Sequence, residues 1–106
     1  GNSYLYYLII KDSYNNMYYL HISAKRDITL YDLDEYIRNV WVECCGHMSA
    51  FFNKRDELSM NMTLKKAFSQ TEKLEYIYDF GSSTKLTVEF VKEFKGEQDI
   101  DIKTLS

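Results

Sequence analysis

Proline is missing from this 106-residue sequence, glycine occurs four times, and there are only two cysteines and one tryptophan. No apolar run approaches the roughly 18 to 20 residues that a membrane-spanning helix needs, so no membrane association is expected. The N-terminus lacks the charged segment followed by an apolar one that a secretory signal would show. Together with the two cysteines, this favours the reducing cytoplasm as the location. One interpretation of residues 1–3, Gly-Asn-Ser without methionine, is a cloning scar.

The charge balance gives little support to a dedicated nucleic-acid surface. Thirteen basic and sixteen acidic residues leave a net charge of -3, whereas a DNA-binding surface usually carries a clustered excess of lysine and arginine. Two basic residues are followed by two acidic ones in the run 53–57, which predicts a solvated loop. Aromatic residues make up 16% of the sequence, with ten tyrosines. Tyrosine has an apolar ring and a polar tip, so this excess fits a half-buried sheet and also a protein interface.

Residue spacing predicts a strand hairpin followed by an amphipathic helix. Residues 4–11 and 17–23 are rich in aromatic and β-branched residues, and the turn between them contains aspartate and asparagine. Thr29 and Asp32 resemble a capping box at a helix start. The polar face of this helix is expected to carry Asp34, Glu35 and Arg38. The apolar positions at helical spacing are Leu30, Leu33, Ile37, Val40 and Trp41.

The second half of the chain predicts a short strand over residues 47–52 and a short helix over residues 62–68. A second hairpin is expected from residues 73–80 and 85–92, and residues 97–106 either add an edge strand or form a loose tail. The order ββαβ(α)ββ predicts a single α+β domain spanning the whole chain. In this fold a mostly antiparallel sheet packs on one main helix, in a β-grasp-like arrangement. No linker and no internal repeat divides it.

Cys44, Cys45, Gly46 and His47 form the densest group of potential ligands. Zinc sites normally use cysteines two or more residues apart, and adjacent cysteines at a helix end point about 100° away from each other. Asp79 is a candidate fourth ligand, but no second cysteine pair exists. Glycine commonly follows the last helical turn, so the helix is expected to end near Cys45 and Gly46. A helix C-terminus disfavours a thiolate, so we expect no metal, no cofactor and no catalytic residue here.

Three segments resemble the plasmid pRiA4b ORF-3-like domain family: residues 28–37, Trp41 with residues 47–51, and residues 74–81. The resemblance implies an α+β fold and an association with plasmids and transposable elements, and no established reaction comes with it. Many members continue after the last segment with Asp, Trp and His, whereas this chain continues with residues 82–85, Ser-Ser-Thr-Lys. Some members also continue into a cysteine-rich segment. The positions that match the family motif are Trp41, Cys44, Cys45, Gly46, His47, Phe51, Tyr76, Tyr78, Asp79, Phe80 and Gly81.

The function expected from the sequence is a small, non-enzymatic binding module of a mobile element or phage. Its partner would be a protein, for example a host defence nuclease that it inhibits. One alternative is a nucleic-acid-binding accessory protein that stacks bases on aromatic side chains. A second alternative is a metal- or thiol-dependent enzyme centred on Cys44, Cys45 and His47. The side chains predicted to form a binding face are Tyr6, Tyr18, Tyr76 and Tyr78.

Overall fold

A single antiparallel sheet organises the protein in the computed structural model, which describes residues 3–41, 46–79 and 84–106. Within these ranges the strands follow the spatial order β4-β3-β5-β6-β1-β2-β7, and each neighbouring pair is antiparallel. The predicted α+β class is therefore confirmed. The elements are β1 (Tyr4–Asp12), β2 (Tyr19–Lys25), α1 (Leu30–Val40), β3 (Ser49–Asn53), β4 (Asp56–Leu58), α2 (Leu64–Gln70), β5 (Lys73–Tyr78), β6 (Thr84–Lys95) and β7 (Ile102–Thr104).

The core lies between one face of this sheet and the two helices. Alternate residues of the central strands are fully buried, as Leu8 and Ile10 of β1 illustrate, because successive strand side chains point to opposite faces. Each fully buried side chain of this kind stabilises the fold by about 1.5–3 kcal/mol. The helices contribute Leu30, Leu33 and Ile37 from α1 and Leu64 and Ala67 from α2.

The start of α1 confirms the predicted capping box. The Thr29 hydroxyl accepts a hydrogen bond from the Asp32 backbone N–H at 3.3 Å, and the Asp32 carboxylate accepts one from the Thr29 N–H at 3.0 Å. The other end of the helix differs from the prediction, because α1 ends at Val40. Val40 is exposed rather than part of the apolar face. Gly46 has a φ of +64°, a left-handed conformation that favours glycine.

The charged run 53–57 is a tight hairpin turn, where the sequence predicted a loop. Asn53 pairs with Asp56, and Lys54 takes a φ of 59° to reverse the chain between β3 and β4. Four of these residues, Lys54, Arg55, Asp56 and Glu57, are exposed to solvent as expected. Strand β4 was missed because it is three residues long and mostly charged.

Of the two outcomes predicted for residues 97–106, the structure shows the edge strand. Strand β7 pairs with β2, with Ile102 opposite Ala24. The Gln98 side chain anchors the preceding loop, because its amide donates to the Ser23 carbonyl oxygen at 3.1 Å. None of the helices in the described ranges is long and apolar enough to cross a membrane.

Candidate functional site at the loop end of the sheet

Strand register places several of the sequence-predicted residues at one end of the sheet. Lys11 lies opposite both Tyr19 and Thr87, while Tyr78 lies opposite both Thr84 and Ser49. The last residues of β1 and β5 and the first residues of β2, β3 and β6 therefore share this end, which we call the loop end. The C-terminal half of α1 reaches the same place.

An ion pair between the buried Asp34 and the partly exposed Arg38, with two hydroxyl partners, forms the centre of the loop end, and we call it the Asp34 cluster. The Asp34 side chain is 7% exposed. Its Oδ1 accepts hydrogen bonds from the Tyr76 hydroxyl at 2.6 Å and the Ser49 hydroxyl at 2.8 Å. Its Oδ2 accepts one from Arg38 Nε at 3.1 Å. The guanidinium also donates to Ser49 Oγ at 2.8 Å, which closes the network.

The position of Asp34 corrects the prediction that it lies on the outer face of α1. Asp34 follows Leu30 by four residues and precedes Ile37 by three, so it lies at the edge of the apolar face. The sequence carried this signal, but the charge of the residue favoured an exposed position. Arg38 lies one turn further along on the same side of α1 and is only partly exposed. Glu35 is exposed, as predicted.

The electrostatic surroundings shift the pKa values of Tyr76 and Arg38 in the Asp34 cluster. Burial raises the pKa of Tyr76 well above its ordinary value, and the hydrogen bond to Asp34 and its negative charge raise that pKa further. Burial lowers the pKa of Arg38, but the hydrogen bond and charge of Asp34 outweigh this and raise its pKa. Tyr76 therefore remains a donor and Arg38 a cation. In the part of the chain that the structure describes, no buried side-chain nitrogen or oxygen lacks a partner.

His47 and Asp79 also meet at the loop end, with 3.8 Å between His47 Nδ1 and Asp79 Oδ2. The His47 ring packs edge-on against Tyr78, and Arg38 lies over the Tyr78 ring at 5.0 Å. Arg38 also donates to the His47 carbonyl oxygen at 2.6 Å, which links this pair to the Asp34 cluster. The Ser49 hydroxyl is directed to Asp34 rather than to a histidine, so the geometry is that of a closed polar network and not of an activated nucleophile.

Several predicted site residues fall outside the described ranges: Cys44, Cys45, Phe80 and Gly81. The expectation that Cys44 and Cys45 form no metal or catalytic site therefore stays a prediction, and so does the alternative of metal or thiol chemistry there. Among the residues that are described, no group of three or more His, Cys, Asp or Glu side chains could hold a metal ion. The remaining family-motif residue, Phe51, is buried against Tyr76, with 4.8 Å between ring centroids.

The predicted tyrosine binding face is not present as one surface. Tyr6, Tyr76 and Tyr78 are buried, because their strand positions place them on the face that the helices cover. Tyr6 contacts Phe90 edge-on with 4.9 Å between ring centroids. Tyr18 alone among the four is exposed.

Tyr18 belongs to a different surface, at the tip of the hairpin between β1 and β2. Met17 is 83% exposed and Tyr18 62% exposed. The turn is held by Asp12, whose Oδ1 accepts hydrogen bonds from the backbone N–H groups of Tyr14 at 2.8 Å and Asn15 at 3.1 Å. A pocket of about 340 Å³ opens beside the turn. We call it the hairpin-tip pocket, and it is lined by Asp12, Met17, Tyr18, Tyr19 and Trp41.

Sequence reasoning missed Met17, Tyr19 and the role of Trp41 in this pocket. A signal was present, because large apolar side chains are unusual in a turn that is otherwise Asp, Ser and Asn. Trp41 caps the C-terminus of α1 and packs partly against the core, so one of its surfaces remains available to the pocket.

A second cleft, of about 610 Å³, lies at the opposite end of the sheet between Tyr4, Lys25 and Lys65. Its cations are mostly paired, since Arg26 contacts Glu93 at 2.7 Å and Lys25 contacts Asp101 at 3.8 Å. This cleft is more polar than the hairpin-tip pocket and lacks its group of aromatic rings.

The fold defines a small α+β protein. The loop end of its sheet carries the polar Asp34 cluster and the aromatic hairpin-tip pocket. The structure is similar to that of a protein of unknown function, MM3350 from Methanosarcina mazei Go1, with a TM-score of 0.80 and 17% sequence identity. The match covers 97% of this chain and 67% of that protein. At this identity the similarity concerns the fold alone. A scan against protein-family models finds no match, and a search of curated proteins finds none either.

Proposed function

We propose that the protein is a small protein-binding module whose partner docks at the hairpin-tip pocket. The observation that carries this proposal is the exposure of three large side chains that line one pocket: Met17, Tyr18 and Tyr19. Tyrosine, tryptophan and methionine are the side chains enriched at protein interfaces. Exposed apolar groups gain about 25 cal/mol for each Å² that a partner buries.

The sheet edges are less suited to docking than the hairpin tip. Strands β4 and β7 form the two edges, and each has three residues. Short edge strands of this kind offer few free backbone groups for an added strand. Side-chain contact at the loop end therefore fits a partner better than strand addition does.

The proposal includes the wider setting that the sequence resemblance implies. It treats the chain as a pRiA4b ORF-3-like, β-grasp-like domain in the cytoplasm, encoded by a mobile element or phage and able to inhibit a host defence nuclease. What supports this setting is the residue pattern around Trp41, His47 and Asp79. The placement of α1 between the first and second hairpins is in keeping with a β-grasp-like arrangement.

Site-specific cross-linking in a lysate of the native host tests the docking site. The photoreactive residue benzoylphenylalanine replaces Tyr18 in one variant and Tyr31, an exposed tyrosine in the first turn of α1, in the control. We expect one protein to cross-link at position 18 and not at position 31. Equal cross-linking at both positions would contradict the proposal, and so would recovery of nucleic acid in place of protein.

A further inference from the structure

We infer that the hairpin-tip pocket binds an arginine side chain of a basic protein partner, an inference that rests on the proposed function. Three aromatic side chains, Tyr18, Tyr19 and Trp41, line the pocket together with one carboxylate, Asp12. Aromatic faces carry partial negative charge and attract cations placed over them. A guanidinium is planar, stacks on such faces and pairs with a carboxylate through two parallel hydrogen bonds.

The Asp12 carboxylate retains capacity for a ligand. Its Oδ1 accepts both hydrogen bonds from the turn backbone, and across residues 3–41, 46–79 and 84–106 no hydrogen bond to its Oδ2 is present. The backbone contacts fix the side chain in place without neutralising its charge. A cation that reaches the pocket therefore meets a carboxylate that is already oriented.

Neighbouring charges also favour a cation. The two lysines nearest to Asp12 along the strands are paired, because Lys11 contacts Glu89 at 3.1 Å and Lys85 contacts Glu75 at 3.6 Å. Trp41 lies at the C-terminus of α1, where the helix dipole carries partial negative charge. The net charge of -3 adds a weak attraction for a basic partner.

Trp41 provides a direct reporter, since it is the sole tryptophan of the chain. The probe is a peptide of alternating glycine and arginine, and its matched control replaces each arginine by citrulline, which keeps the shape and removes the charge. We expect the arginine peptide to change Trp41 fluorescence saturably. The citrulline peptide should bind at least about tenfold more weakly, because the cation–π and charge-assisted contacts are lost.

Asp12→Asn separates the charge of this side chain from its structural role. The amide oxygen of asparagine can accept the same two backbone hydrogen bonds, so the turn is retained while the charge is lost. We expect Asp12→Asn to weaken arginine-peptide binding about tenfold and Tyr31→Leu to leave it unchanged. Circular dichroism of each variant checks that the fold is intact.

The outcomes distinguish this inference from the proposed function. If the arginine and citrulline peptides bind equally, if Asp12→Asn has no effect, or if the arginine peptide does not bind, the inference is overturned. Cross-linking at position 18 that persists in any of these cases leaves the docking site in place. Charge-dependent arginine binding without cross-linking at position 18 would overturn the docking of a protein partner and leave only the recognition of a guanidinium by the pocket.

Discussion

The Asp34 cluster shows how single residues fix the loop end. One carboxylate receives two hydroxyl groups and one guanidinium, from α1, β3 and β5. Moving a charge from water into the protein interior is costly. Its hydrogen-bond and ion-pair partners compensate for this cost only when all of them are present. The cluster therefore aligns the last turn of α1, with Trp41 directly after it, against the sheet.

Asp34→Asn should lower the free energy of unfolding by about 2–3 kcal/mol, because the Arg38 guanidinium loses its charged partner. The partial contact of Arg38 with water limits the loss to this range. Urea unfolding measures this change. The matched control is Glu35→Gln, an exposed position on the same helix, where a change of about 0.5 kcal/mol or less is expected. Equal effects at the two positions would show that the cluster adds no stability.

Tyr76 should make stability fall with increasing pH above the ordinary tyrosine pKa near 10. Its pKa is raised in the folded protein. Above the ordinary pKa near 10, the Tyr76 side chain therefore releases its proton in the unfolded chain but retains it in the folded protein. The folded state then binds more protons, and the linkage relation makes unfolding easier as pH rises. Urea unfolding between about pH 9 and pH 11 should give a shallower decline for Tyr76→Phe than for the wild type. Identical slopes would argue against a raised pKa.

Helices and long strands were the elements that the sequence predicted best. The capping box at Thr29 and the apolar spacing of α1 are local signals, and the structure shows the capping box and the spacing as far as Ile37. Strand β4 forms because a two-residue turn lets it pair with β3. The composition of residues 56–58 alone does not predict this pairing. Asp34 is buried because it accepts a hydrogen bond from Tyr76, which lies 42 residues away in the sequence. The local pattern of α1 contains no sign of this partner and so did not predict the burial of Asp34.

Strand β7 should depend on its backbone pairing with β2. Lys103 lies opposite Ser23, and proline at this position removes a backbone donor from an edge strand. Lys103→Pro should lower the free energy of unfolding by about 1–2 kcal/mol and speed hydrogen exchange in residues 21–25. Lys103→Ala retains the donor and should behave as wild type. Unchanged exchange in the proline variant would mean that β7 does not protect β2.

At the scale of the whole molecule, the two ends of the sheet differ. The loop end combines a rigid polar cluster with exposed aromatic side chains, whereas the opposite end has a polar cleft with paired charges. The sequence analysis named Asp79 as a candidate ligand to add to the group that contains His47, and the fold brings the two side chains within 3.8 Å. It did not predict the pocket, because Tyr19 and Trp41 come together only through the packing of α1 beside the first hairpin.

The affinity of the purified partner for three forms of the protein tests the docking site most directly. Calorimetry would compare the wild type with Tyr18→Ser and with Tyr31→Ser, which removes an equally large, exposed ring in the first turn of α1. An aromatic side chain at the centre of an interface contributes about 2 kcal/mol or more, so Tyr18→Ser should weaken binding about thirtyfold. Tyr31→Ser should bind as the wild type does. Unchanged affinity in Tyr18→Ser would contradict docking at the hairpin-tip pocket.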